Sequence, residues 1–180
     1  MSAIVPSEHL WKFSVAAAAG NTTAGTAATS LGDQISTTQW AGGVANDLFD
    51  DITGAENAAS TVDYRCLFIH NSNASNPLEN AVVYLSAETG GGAAIAVGAD
   101  PTAASAIGSA SAQAVTIANK TTAPAGVTFS SPTNAATGVA LGTIPAGQCK
   151  AFWVRRTAAN TAALSNDGVT LAITGDTGSL

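Results

Sequence analysis

Short runs in which apolar and polar residues alternate recur along this chain, with turn residues between them. The clearest covers residues 144–156. It opens on a turn at Pro145, Ala146 and Gly147, where proline fixes φ and glycine tolerates a positive φ. Beyond the turn, Cys149, Ala151 and Trp153 fall on one face of an extended strand, and Lys150, Phe152, Val154 and Arg156 on the other. Apolar residues on both faces predict a central strand, with Lys150 and Arg156 reaching past its ends into solvent.

The same two-residue period predicts strands at residues 9–16, 61–71, 80–86, 93–98, 112–118, 126–130, 138–143 and 168–174. The polar stretch 71–77 between two of these suits a hairpin with a long loop. Val44, Leu48, Phe49 and Ile52 recur at helical spacing, so a short helix or an irregular loop is expected there, ended by Gly54. Residues 100–111 are alanine, serine and glycine for the most part and read as an exposed excursion. Residues 1–8, interrupted by Pro6, read as an N-terminal arm ahead of a single domain at 9–180. About nine short antiparallel strands with long loops predict an all-β fold, a β-sandwich, with a β-barrel as the alternative.

Composition narrows the function. Hydrophobic residues make up 46% of the 180, but alanine supplies much of that and aromatics only 6%, so the interior has little bulk. A thin core in a long chain favours stabilisation by neighbours, in an oligomer or a lattice. Charged residues are 10%, against about 25% in ordinary soluble domains. The net charge is −6 with only six cations, Lys12, Arg65, Lys120, Lys150, Arg155 and Arg156, which argues against nucleic acid as a partner. No apolar run is long enough to span a membrane, and the first residues lack a basic, then apolar, leader pattern. Synthesis and residence in a cytoplasm are therefore expected.

Candidate chemistry is sparse. The two histidines, His9 and His70, sit in no nucleophile elbow, and His70 reads as an exposed strand end. Gly90, Gly91 and Gly92 lack the lysine and helix of a phosphate loop. Asp47, Asp50, Asp51, Glu56 and Asp63 concentrate acid without calcium-loop spacing and read as a solvated loop or one that meets a basic patch on a neighbour. Neither a catalytic residue, a metal ligand nor a cofactor motif emerges, and the chain reads as a non-enzyme. Cys66 and Cys149 read as buried free thiols; a disulfide between them is the alternative.

Three stretches carry a resemblance: "DYRCLFIHNSNASNPLENAVVYLS", "IPAGQCKAFWVRR" and "SNDGVTLAITGDT". In this order they resemble a family of virion structural proteins of tailed bacteriophages. The resemblance covers most of residues 61–176 and implies a β-rich particle component, with no catalytic residues to carry over. The function it implies is a capsid decoration, or cement, protein. Such a protein bridges major capsid subunits, with the major capsid protein and copies of itself as partners, as a homo-oligomer on the virion. A tail or neck protein is the alternative placement. A module that binds host-surface glycan through residues 40–43 or 71–77 is the alternative of another class. Candidate contact residues are Ile4, Val5 and Pro6 of the arm, Asp47, Asp50 and Asp51 of the acidic loop, and Lys150, Arg155 and Arg156 of the strand.

Overall fold

The computed structural model describes residues 4–162, 164 and 167–177, and their regular structure is almost entirely β. Among these residues the strands are β1 (His9–Val15), β2 (Gln34–Gln39), β3 (Val62–Asn71), β4 (Leu78–Glu88), β5 (Ala94–Ala99), β6 (Ser105–Ala106), β7 (Val139–Ile144), β8 (Gln148–Thr157) and β9 (Val169–Thr177). They form two antiparallel sheets. The larger runs β2-β1-β3-β8-β5, with β6 also paired to β8, and the smaller runs β7-β4-β9. Neither closes on itself, so the architecture is a sandwich and not a barrel.

β3 and β8 lie at the centre of the larger sheet because both of their faces are apolar. Leu67, Ile69, Phe152 and Val154 meet Leu78, Ala81, Val83 and Leu85 of β4 to form the core between the sheets. On the opposite face Cys66, Phe68, Cys149, Ala151 and Trp153 form a second core. A two-layer sandwich would leave that face wet. Here residues 99–130 fold over it, and Ile107, Ala114, Ile117, Val127 and Phe129 cover it. Residues 101–111 are exposed or half-buried, as expected of an excursion, but Ile107 joins the roof and Asp100 is buried beneath it. Asp100 Oδ2 accepts from Trp153 Nε1 (2.8 Å) and from the backbone N–H of Val115 (3.0 Å), and Oδ1 accepts from the N–H of Thr102 (2.8 Å). One buried carboxylate thus ties the roof to the largest side chain of the central strand.

Two expected strands, 112–118 and 126–130, belong to this roof and make only isolated bridges, Ala114 to Asp33 and Ser130 to Val97. Their alternation reflects packing on a sheet face, not membership of a sheet. Gly32 marks how close the roof comes: its φ is +97°, and a Cβ there would lie 1.8 Å from the carbonyl oxygen of Val115. Conversely β2 went unforeseen, because Ile35 is the only large apolar residue in Gln34–Gln39.

The hairpin expected between 61–71 and 80–86 does not form. β3 and β4 lie in different sheets, and residues 71–77 cross between them. Asn71 Nδ2 fixes the crossing by donating to the carbonyls of Asn76 (2.9 Å) and Ile144 (3.0 Å). Residues 44–52 are an irregular loop, and Gly54 does not end a helix. It begins the short helix α1 (Gly54–Ala58). Thr53 caps that helix by accepting from the Glu56 N–H (3.2 Å), while Glu56 accepts from the Thr53 N–H (2.9 Å).

The cysteines are free and buried. Cys66 stands opposite Trp153 in the β3–β8 register and Cys149 opposite His70, so four residues separate them along the strands. At about 3.3 Å per residue the gap is roughly 13 Å, twice what a disulfide bridges. The disulfide alternative is thereby excluded in this fold. Burial pushes the Cys149 thiol up to about 12 and the Cys66 thiol well above its ordinary value. The folded protein is expected to leave both thiols unreacted with an aromatic disulfide reagent at pH 8, and both titrate in denaturant. A single fast-reacting thiol in the native state would contradict the roof. His70 is likewise not an exposed strand end. It is buried beside Lys12, and burial first, then that lysine, lowers its pKa.

Candidate functional site

The two sheets differ in width, and the mismatch creates a groove. The smaller sheet stops at β9, while the larger sheet continues beneath through β1 and β2. The loop 40–52 leaves the end of β2 and folds into this space. Its first residue is fixed by a hydrogen bond from the Trp40 N–H to the Trp11 carbonyl (2.8 Å). The Trp40 ring meets Trp11 edge-on at 5.9 Å, and Trp11 meets Phe152 at 5.7 Å. The resulting groove, about 890 Å³, runs between the tryptophans, the 40–52 loop and the first half of β9, where Val169, Thr170 and Leu171 line it. Trp40 Nε1 and Asp47 Oδ2 are both buried in its lining and both lack a hydrogen-bond partner.

A charge network closes the groove at one end. Asp63 and Arg156 stand directly opposite each other on β3 and β8, on the inward face. Arg156 Nη2 donates to Asp63 Oδ2 (2.6 Å) and Asp50 Oδ1 (3.3 Å), and Nη1 donates to the Asp50 carbonyl. Its guanidinium lies 4.8 Å from the centre of the Phe49 ring. Lys120 arrives from the roof to meet Asp50 (2.9 Å), Glu56 (3.3 Å) and Asp63 (3.7 Å). Partial burial raises the pKa of Asp50, but the hydrogen bond and charge of Lys120, then Arg156, outweigh it and hold the carboxyl below its ordinary value. Glu56 is also lowered, by the Thr53 N–H and hydroxyl first and then by Lys120. Burial lowers Lys120, but its carboxylate partners prevail and leave it raised.

The expected contact residues separate into three groups. Asp47, Asp50, Asp51 and Arg156 do gather around the groove. Arg156 does not reach solvent, however; it is buried in the network just described. Lys150 is buried as well, its ammonium donating to the carbonyls of Asp100 (2.7 Å) and Thr102 under the roof. Both were expected to extend into water, and both instead satisfy internal oxygens. Arg155 sits half-buried over Phe129, 5.2 Å from the ring centre. The arm lies at the other end of β9: the Ile4 N–H donates to Thr177 Oγ1 (3.1 Å), Ile4 packs on the core, and Val5 and Pro6 are exposed. The acidic loop meets cations of its own chain, Lys120 and Arg156. Trp11 and Lys120 were not singled out as site residues in the sequence, and Asp63, expected in a solvated acidic loop, is instead buried on β3. Asp63 did carry a signal, since it shares a strand face with Leu67 and Ile69 and so had to be buried and paired.

The geometry defines a class: an all-β sandwich with a three-stranded sheet that ends beside an acidic, tryptophan-lined groove. Comparison with known proteins adds no family to this: no family model matches the chain, and no curated protein or solved structure is significantly similar to it.

Proposed function

We propose that this chain is a structural component of a tailed-phage particle, a capsid decoration protein that binds across joints between major capsid subunits. The observation that carries this reading is where the phage-like motifs fall. "DYRCLFIHN", "LENAVVYLS", "QCKAFWVRR" and "VTLAITGDT" coincide with β3, β4, β8 and β9, the strands that build both sheets. Use of the polar groups supports it further. Lys12 donates to Asn21, and Lys120, Lys150 and Arg156 all meet internal oxygens, which leaves little positive charge for nucleic acid. Work by such a protein is mechanical. It binds the assembled shell better than free subunits, and the difference in affinity becomes shell stability by linkage. The protein is made in the host cytoplasm and resides on the virion, beside copies of itself.

Shells assembled without this protein provide the test. The purified chain is expected to co-sediment with them and raise the temperature at which they rupture. Absence of both effects would remove the reading, and gold-labelled protein found at the tail or neck would move it to the alternative placement. A glycan-binding module has one observation in its favour, the position of residues 40–43, half-buried to exposed, on the groove beside Trp11. Binding on a glycan array, lost in Trp40→Ala, would select it. The other loop considered for that role, 71–77, turns its asparagines inward: Asn73 Oδ1 accepts from the N–H groups of Ser75 (2.9 Å) and Asn76 (2.8 Å).

A further inference from the structure

Sheet edges expose unpaired N–H and C=O groups, and proteins that stay monomeric normally cover, bend or charge them. Three edges of this sandwich are protected. β2 is covered by the preceding loop: the N–H groups of Asn21 (2.6 Å) and Thr37 (2.9 Å) bond to the carbonyls of Ile35 and Thr23. β5 is covered by the reciprocal pair between Val97 and Ser130 (2.8 and 3.0 Å). β7 is short and bulged at Gly142, whose φ is +76°, and Pro145 follows it. Over its first six residues β9 has none of these devices among the described residues. Among the described residues its one strand neighbour is β4. The two irregularities in that ladder place their extra residue on β4, so β9 itself is regular. Its first six residues, Val169, Thr170, Leu171, Ala172, Ile173 and Thr174, include neither charge nor proline and favour extended structure. Its inward side chains Val169, Leu171 and Ile173 are only half-buried, whereas Val83 and Leu85 beside them on β4 are fully buried. The strand looks like the penultimate member of its sheet.

We propose that the free edge of β9 takes up an extended segment of a partner protein as a fourth strand, one that combines apolar residues with lysine or arginine. This rests on the particle reading and deepens it, by naming the element through which contact is made. The groove alongside supplies the chemistry. Apolar side chains of the added strand turn inward against Trp11, Trp40 and Leu171. Asp51, an exposed carboxylate of the same lining, meets a cationic side chain of the segment, and Asp47 adds its charge beside it. Charge decides between candidate occupants. A second copy would set this acidic rim, on a chain of net charge −6, against itself, whereas a basic-apolar strand is complementary to it. Main-chain bonds give such an added strand its hold, and the side-chain positions give it selectivity.

The test uses two probes. The first is a synthetic nine-residue peptide that alternates valine and threonine and carries two lysines, with a glutamate version as control. Amide exchange in β9 is expected to slow at least tenfold with the lysine peptide and to change little with the glutamate one. The double variant Thr170→Lys/Thr174→Lys places positive charge on two exposed positions of the strand, one of them at the groove; it is expected to keep the wild-type melting temperature and lose the effect. No slowing with the lysine peptide, or equal slowing with both, overturns the proposal. So does protection of β9 by concentration-dependent dimerisation alone, or by an array-selected glycan in place of the peptide. The second probe is the protein-free shell. Wild type and double variant that bind shells equally well leave the particle reading standing and remove this inference. A protein that takes the peptide on β9 but ignores shells does the reverse.

Discussion

Asp100→Ala is expected to lower stability by about 3–5 kcal/mol, read as a shift of the urea midpoint at pH 7. The carboxylate is 1% exposed and accepts three hydrogen bonds. Removing it leaves the Trp153 indole N–H and two backbone N–H groups in a site where water does not replace the acceptor. Each orphaned donor costs roughly 1–3 kcal/mol, and the roof also loses its anchor to β8. For a domain of this size the change lowers the melting temperature by about 10 °C. Trp153→Phe keeps most of the ring volume and removes one donor, so its cost is expected to be smaller, about 2 kcal/mol. If the two groups act through their bond, the double variant costs less than the sum of the singles by roughly 1–2 kcal/mol. Additive costs would show that Asp100 acts on the backbone of the roof alone. Thiol reactivity gives an independent readout. Cys66 and Cys149 lie under the same roof, so Asp100→Ala is expected to expose them to reagent while the inter-sheet core stays intact.

The reach of the sequence can be judged from particular strands. β1, β3, β8 and β9 are legible because bulky residues recur with period two, and Trp153 with Phe152 already marks β8 as buried on both faces. What covers the second face is not legible. Residues 99–130 are small and polar, and such composition is shared by an exposed loop and a close-packed roof. Only spatial closeness separates them, as at Gly32 against Val115. β2 is hidden for the related reason that its backbone bonds to the Gln113 side chain and to the loop at 20–25, and Gln34 Nε2 donates to the Ser111 carbonyl rather than to solvent. For the groove, the acidic residues 47–51 and Trp40 were recognisable as unusual. Their company was not, because Lys120 comes from the roof and Arg156 from β8, 70 and 106 positions from Asp50. A cation near a strand end reads by default as solvated. Lys150 and Arg156 differ because a loop returns over each end, and loop return has no period to detect. The open edge of β9 is a property of strand order, which alternation does not encode.

Arg156→Met is expected to destabilise the fold by about 3–5 kcal/mol, since it leaves the Asp63 carboxylate buried with no cation nearer than Lys120. Asp63→Leu alone is expected to cost less, about 1–3 kcal/mol, because Arg156 loses its nearest acceptor but keeps the Asp50 carbonyl and carboxylate. The double variant Asp63→Leu/Arg156→Met is expected to recover most of the loss, as apolar replacement of both members of a buried pair is often neutral or better. Lys120→Met is a contrasting control. Its ammonium and the Asp50 carboxylate are exposed by 28% and 59%, so the expected cost is only about 0–1 kcal/mol. The pH dependence follows from the shifts. Asp50 and Glu56 have lowered folded pKa values, so their contributions are present above the ordinary carboxylate range and disappear as pH falls through the folded values. Lys120 is raised, so its contribution is complete below its ordinary value of 10.5 and disappears as pH rises through the folded one. The network is therefore intact on a plateau between these limits, and the 40–60 loop is expected to loosen from the roof on the acid side below about pH 4. Urea midpoints measured from pH 7 to pH 3 should fall less steeply in Lys120→Met than in wild type, because part of what lowers Asp50 and Glu56 is gone. Parallel slopes in the two proteins would mean that the acid sensitivity arises elsewhere in the sandwich.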